Sequence, residues 1–275
     1  MRAENFSKKY LGGEILKIAF FDSGIGGLSV LHHAMKILPG EDFIFYADED
    51  NVPYGTKTRE EILNLVDGAF KFLVAQNVQA IVVACNTATS VAVRPMREKY
   101  SLPIIGMEPA LKLALDLFPN KKVLVTATEI TVRGEKIKNL IERLNAKNLA
   151  ELHALQRLVE FAERLEFNSA QVENYLREEL SSYDFKNFSS IVLGCTHFNY
   201  FKDTLKKILL PHMKILDGNA GTLNQLIRLT NLKINPDTKN FSHVEYFYSG
   251  RKITSDIELT RLKKYLRRLD EMYLL

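Results

Sequence analysis

The sequence predicts a doubly wound α/β protein with parallel-type sheets. Two observations carry this. Short apolar runs rich in Val, Ile and Phe alternate with longer amphipathic stretches along the 275 residues. Such alternation is the pattern of strand–helix–strand units with right-handed crossovers. Several runs are also continuously apolar, as strands buried on both faces of a helix-covered sheet are.

Strands are expected at Ile15–Phe21, Phe43–Ala47, Ala80–Ala84, Pro103–Gly106, Lys122–Thr126, Ser190–Leu193 and Lys214–Leu216. Helices fill the intervals. The clearest is Arg59–Ala75, where Ile62, Leu65, Val66, Ala69, Phe70 and Leu73 share one face. Thr58 and Glu61 have capping-box spacing at its start. Further helices are expected at Leu28–Leu38, Ala88–Tyr100, Ala110–Leu117, Arg133–Leu144, Ala170–Ser181, Phe201–Leu209, Gly221–Leu229 and Asp256–Arg268. Turn chemistry at Ile105–Pro109 and Asp217–Asn219 places two crossings between domains. The first domain is then residues 1–108 with 218–275, and the inserted second domain is 109–217.

Composition excludes several functions. A chain with 46% hydrophobic and 25% charged residues is globular, not disordered. The net charge, 37 − 33 = +4, is too mild to argue for a nucleic-acid partner. No apolar run approaches the roughly 18 residues of a membrane span. The N-terminal stretch lacks the apolar core of a signal peptide. Two cysteines without an export signal fit a reducing cytoplasm and free thiols. The basic residues between Arg251 and Arg268 read as a solvated helical face.

Ligands of open parallel sheets bind beyond the carboxyl ends of the strands. At those ends stand Asp22 and Ser23, Asp48, Cys85-Asn86-Thr87, and Cys195-Thr196-His197. Both cysteines therefore hold the same place in different strand–turn–helix units. A thiol beside a helix N-terminus is expected to have its pKa lowered toward neutral. Two facing thiols suit a racemase, which needs an acid and a base on opposite faces of one carbon. Asp22 and His197 are placed to exchange protons with them. Ser23, Asn86, Thr87 and Thr196 offer uncharged donors to a substrate carboxylate. The glycines of Asp22-Ser-Gly-Ile-Gly-Gly27 do not have dinucleotide-fingerprint spacing, and the turn reads as a cradle for a small anion. Val52-Pro-Tyr-Gly-Thr56 is either a connecting turn or a lid.

Other readings of the same residues remain open. A free Cys also serves as a small buried hydrophobe. Asp22 can cap the following helix, and His197 can be a structural histidine. A disulfide, or a zinc site built on Cys85, Cys195 and His197, meets less support from compartment and spacing. Cys195 with His197 can also form a nucleophile–base pair of a hydrolase.

Four blocks, FFDSGIGGLSVL (Phe20–Leu31), VPYGTK (Val52–Lys57), VVACNTAT (Val82–Thr89) and LGCTHF (Leu193–Phe198), resemble the signature blocks of the glutamate racemases. These belong to the cofactor-independent aspartate/glutamate racemase superfamily. The resemblance covers about residues 15–230. It implies two similar α/β domains facing each other across the site, and interconversion of L- and D-glutamate for peptidoglycan synthesis in the bacterial cytoplasm. By position it implies Cys85 and Cys195 as the catalytic thiols, Asp22 and His197 as their assistants, and Glu160 as the second domain's carboxylate. Substrate contacts would fall on Asp22, Ser23, Tyr54, Gly55, Asn86, Thr87, Thr196 and His197. No cofactor, metal, nucleic acid or membrane is implied, and a homodimer is usual. The alternatives are racemisation of aspartate or another amino acid by the same two thiols, or a catalytically impaired amino-acid-binding protein. The chain departs from the pattern at Tyr46-Ala-Asp-Glu-Asp-Asn51, where the family has Gly before the Asp and a small residue and Arg after it.

Overall fold

Two parallel sheets, stacked on a common core, organise the computed structural model, which describes residues 16–107, 109–232 and 242–274. Ile15, the stretch preceding it and Glu108 lie outside the described residues. The first sheet contains β1 (Lys17–Asp22), β2 (Asp42–Ala47), β3 (Ala80–Val83), β4 (Ile104–Gly106), β9 (Val244–Tyr248) and β10 (Arg251–Lys252), in the order β10-β9-β2-β1-β3-β4. All its pairings are parallel except β10 on β9. The second contains β5 (Lys122–Ala127), β6 (Ala150–Ala154), β7 (Phe188–Leu193) and β8 (Lys214–Asp217), ordered β6-β5-β7-β8 and wholly parallel.

The period of two along each strand sorts its side chains between layers. In β1, Ile18 and Phe20 enter the core shared with Leu124, Ile191 and Leu193 of the second sheet. Ala19 and Phe21 point to the opposite face, against Ile62, Val66, Phe70 and Leu73 of the helix Arg59–Ala75. Val123, Val125 and Val192 face a third layer with Ile137, Leu140 and Ile141. Strands β1, β3 and β7 are thus buried on both faces, which explains the continuous apolar runs Ile18–Phe21, Ala80–Val83 and Ile191–Leu193 within them. The capping box expected at Thr58 is formed: its hydroxyl accepts from Glu61 N at 3.3 Å, and its N–H donates to Glu61 Oε2 at 2.7 Å.

Some boundaries differ from the sequence reading. The helix expected from Arg133 breaks at Gly134, whose backbone is extended, leaving Glu129–Arg133 and Glu135–Arg143. The helix expected from Ala88 starts at Asn86, because Cys85 caps it and Sγ accepts from Ala88 N at 3.4 Å. The C-terminal helix runs from Asp256 to Tyr273, since Leu269 and Met272 continue its buried face. Strands β6 and β9 and the helix Arg157–Glu163 were not anticipated.

The C-terminal basic stretch is not uniformly solvated. Arg268 is buried, donating to Tyr200 O at 3.0 Å and pairing with Asp203 at 2.6 Å, and Arg261 turns inward. Lys263, Lys264 and Arg267 are exposed. The helix Asn219–Thr230, which follows β8, packs back on β3 and β4. No helix among the described residues is long and apolar enough to cross a membrane.

Candidate active site

Parallel register puts the carboxyl ends of neighbouring strands side by side. Asp22 is the last residue of β1, opposite Ala47 of β2, and Phe21 lies opposite Val83 of β3. Asp22, Asp48 and Cys85 therefore emerge at one edge. From the facing sheet, β7 delivers Gly194 and then Cys195, extended, which opens a 3₁₀ turn carrying Thr196 and His197. Gly194 is required there, because a Cβ would lie 2.7 Å from Thr126 O.

The first half of the site is built on Asp22. It is fully buried; Oδ2 accepts from the Thr196 hydroxyl at 2.8 Å, and Oδ1 accepts from Ser23 Oγ at 3.2 Å and Gly24 N at 3.3 Å. Burial raises its pKa, outweighing the His197 charge and these hydrogen bonds. Ser23 Oγ also lies 3.5 Å from Cys85 Sγ, so one hydroxyl links thiol and carboxylate. The Cys85 thiol is pushed up to about 12, first by burial and then by the Asp22 charge. The expected lowering by the helix N-terminus is thus corrected: the Ala88 N–H is present but is outweighed.

The second half is built on His197. Its Nδ1 lies 3.8 Å from Cys195 Sγ, and its Nε2 lies 2.6 Å from Glu163 Oε1. Burial disfavours the imidazolium, but the hydrogen bonds to Cys195 and Glu163 and the Glu163 charge win, holding its pKa well above the ordinary value. With both nitrogens protonated, one N–H faces the thiol sulfur and the other the carboxylate.

Glu163, not Glu160, is the carboxylate at this position. Glu160 is exposed, whereas Glu163 closes the helix Arg157–Glu163 beside His197. Helical geometry contains the signal. At about 100° per residue, Glu160 lies opposite the face made by Leu158, Val159, Phe161 and Ala162, and Glu163 borders that face beside Val159.

The glycine turn admits side chains from the facing half. A Cβ on Gly24 would lie 2.1 Å from Glu163 Oε1, and one on Gly26 would lie 2.4 Å from His197 Nδ1. Ile25 N donates to Glu163 Oε1 at 3.0 Å. The anion that this turn cradles is therefore a carboxylate of the chain itself.

The remaining expected residues separate into two groups. Asn86 is buried, and its Nδ2 has no hydrogen-bond partner, so it is free to bind a substrate oxygen. Gln156, not anticipated from sequence, likewise keeps both amide atoms buried and unpartnered, and packs on Gly55. By contrast, Tyr54 is buried and donates to Asp48 Oδ2 at 2.6 Å. Thr87 Oγ1 meets Thr128 and Thr131 of the facing half at 3.0 and 3.4 Å. Tyr54, Thr87 and Thr196 thus hold the walls of the site together.

Both thiols are free and buried. Among the described residues no group of three or more His, Cys, Asp or Glu side chains is placed to hold a metal ion.

Comparison with known proteins accords with this geometry. The family model described as Asp/Glu/Hydantoin racemase matches residues 29–226. The chain is 50% identical over 263 residues to the glutamate racemase of Campylobacter curvus, covering 94% of this chain and 98% of that protein. It resembles the solved glutamate racemase of Francisella tularensis in complex with D-glutamate, with TM-score 0.75 and 29% identity, over 92% of this chain and 94% of that one. It also resembles Escherichia coli glutamate racemase in complex with L-glutamate and the activator UDP-MurNAc-ala. There the TM-score is 0.74 at 28% identity, over 92% and 96% of the two chains.

Proposed function

The chain belongs to the Asp/Glu/hydantoin racemase family, and on that premise we propose that it interconverts L- and D-glutamate without a cofactor, with Cys85 and Cys195 as the two proton-transferring thiols. One observation carries the reading. Each thiol has its own proton-exchanging partner: Ser23 and Asp22 for Cys85, and His197 backed by Glu163 for Cys195.

The chemistry follows from these pairings. An α-hydrogen beside a carboxylate is a weak acid, so its removal needs a close base and a stabilised carbanion. In one direction Cys195 removes the α-proton, with His197 Nδ1 balancing the charge on sulfur. Cys85, held protonated by its surroundings, returns a proton to the opposite face. In the other direction Cys85 must first lose its proton. Ser23 Oγ relays it to Asp22, whose raised pKa brings the carboxylate closer to the range where it holds and releases a proton. The Asn86 amide and the amides opening the helix Asn86–Lys99 bind the substrate carboxylate.

We assign residues 109–217 to an inserted second domain, so that the site lies where the two domains meet. The product D-glutamate would supply peptidoglycan synthesis in the cytoplasm, from a homodimer. Circular dichroism of L- and D-glutamate incubated with the purified protein, without added cofactor, tests the activity. Both enantiomers are expected to reach the racemate. Clear preference for aspartate over glutamate in the same assay overturns the substrate assignment.

A further inference from the structure

Behind His197, on the side away from Cys195, three elements converge on Glu163. The turn Glu49–Asn51 after β2 contributes Glu49, the C-terminal helix contributes Arg261 and Tyr265, and β9 ends in Tyr248. Arg261 Nη2 donates to Glu163 O at 2.8 Å, and Tyr265 Oη donates to the same oxygen at 2.9 Å. The guanidinium also stands between two carboxylates: Nη2 is 3.8 Å from Glu163 Oε2, and Nη1 is 3.8 Å from Glu49 Oε2. Glu163 Oε2, Glu49 Oε1 and Tyr248 Oη are buried and have no hydrogen-bond partner. One cation is thus shared by two carboxylates, and only Glu163 touches the histidine.

We infer that Glu49 and Arg261 are positioning residues for the Glu163–His197 pair, dividing one guanidinium between two carboxylates and so setting how readily His197 exchanges the proton of Cys195. The inference rests on the two-thiol reading of the site. Neither residue has a contact with a thiol. Their contacts reach the pair through Glu163, by its main-chain carbonyl and its carboxylate, and the Glu49 charge also acts on His197 through space.

The electrostatics give the arrangement a direction. When Glu49 is protonated, Arg261 is left to Glu163, and the hold of Glu163 on the imidazolium weakens. When Glu49 is ionised it takes a share of the guanidinium, and His197 keeps its proton more firmly. Glu49 faces Glu163, His197 and Arg261, with Tyr248 and Asp50 nearby. Its carboxyl is raised to about 7, first by burial and then by the Glu163 charge, against the pull of Arg261 and His197. The switch between the two states therefore falls near neutral pH.

The test compares Glu49→Gln and Arg261→Gln with the wild type. It uses kcat/KM for glutamate racemisation across pH, and primary isotope effects with α-deuterated L- and D-glutamate. Glu49→Gln is expected to erase an inflection near neutrality and to change the rate above it by about tenfold. Arg261→Gln is expected to move that inflection to higher pH, because Glu49 loses its cation. Slowing only the Cys195 step makes the effect asymmetric: the isotope effect rises with the enantiomer that Cys195 deprotonates and falls with the other. An unaltered pH profile in Glu49→Gln, or equal changes in both isotope effects, overturns the inference even if stability drops. A wild type inactive on both enantiomers of glutamate overturns the functional reading with it, whereas an active wild type with unchanged variants removes only the role of Glu49 and Arg261.

Discussion

The two thiols share a place in the fold and differ in everything that governs their protons. Each follows a buried parallel strand and opens the turn beyond it. Yet Cys85 meets a carboxylate through a serine hydroxyl, while Cys195 meets an imidazole backed by a carboxylate. The first surroundings favour a protonated thiol. The second place a cation beside the sulfur. Repeating a strand–turn–helix unit supplies the geometry of two opposed groups. Under the proposed mechanism, their different neighbours suit the two thiols to opposite steps of one proton exchange.

The most severe way to break this comparison is to delete either thiol. Cys85→Ala and Cys195→Ala are each expected to lower racemisation by at least ~10³-fold. Each variant keeps the other thiol, so each should still exchange the α-proton of one enantiomer with solvent, and the two should choose opposite enantiomers. Proton NMR in deuterium oxide reads this directly. Full racemase activity in either variant sinks the two-thiol mechanism.

The partners come next. Asp22→Asn and His197→Asn should each cost roughly 10²-fold in kcat, the order expected for a positioned general acid or base. Isotope effects should separate them, because each slows the step of its own thiol. Within the second half, Glu163→Gln should lower kcat about tenfold by weakening the charge that holds the imidazolium, whereas Glu160→Gln should leave it within about twofold, as exposed substitutions do. A larger loss from Glu160→Gln than from Glu163→Gln would restore the assignment made from sequence position.

That reversal shows where sequence stopped being legible. Strands β1, β3 and β7 were readable because burial on both faces writes a continuous apolar run into each, Ile18–Phe21, Ala80–Val83 and Ile191–Leu193. The strand-end placement of Asp22, Cys85, Cys195 and His197 followed from those strands. β6, Ala150–Ala154, was not readable: it is a sheet edge with every residue only half buried, so its sequence lacks the β-branched run. Glu163 was hidden because motif position favoured Glu160, although helical arithmetic separates the two. The state of Cys85 was misjudged for a different reason. A helix N-terminus is visible in sequence, but the burial and the Asp22 charge that overrule it arise only in the tertiary fold, where β1 pairs with β3. The role of Arg261 likewise depends on a contact spanning residues 163 and 261.

The smallest expected effect concerns stability, and it probes the charge behind the second half. Glu49 ionises at about 7 in the folded protein instead of near its ordinary 4.5. Between those values the folded state keeps a proton that the unfolded chain has lost, so stability falls as pH rises through the window and stays lower above it. The loss is on the order of 1–3 kcal/mol. Glu49→Gln keeps the shape and hydrogen-bonding reach of the protonated form at every pH. Its melting temperature should therefore exceed that of the wild type by a few degrees, about 2–4 °C per kcal/mol, at pH 8. The two curves should converge toward pH 4.5, where the wild-type carboxyl is protonated in the folded state. A wild type that is the more stable of the two at pH 8 would mean that Arg261 favours the ionised carboxylate more than burial penalises it. The second half would then rest on a fully formed ion network instead of a shared and half-satisfied cation.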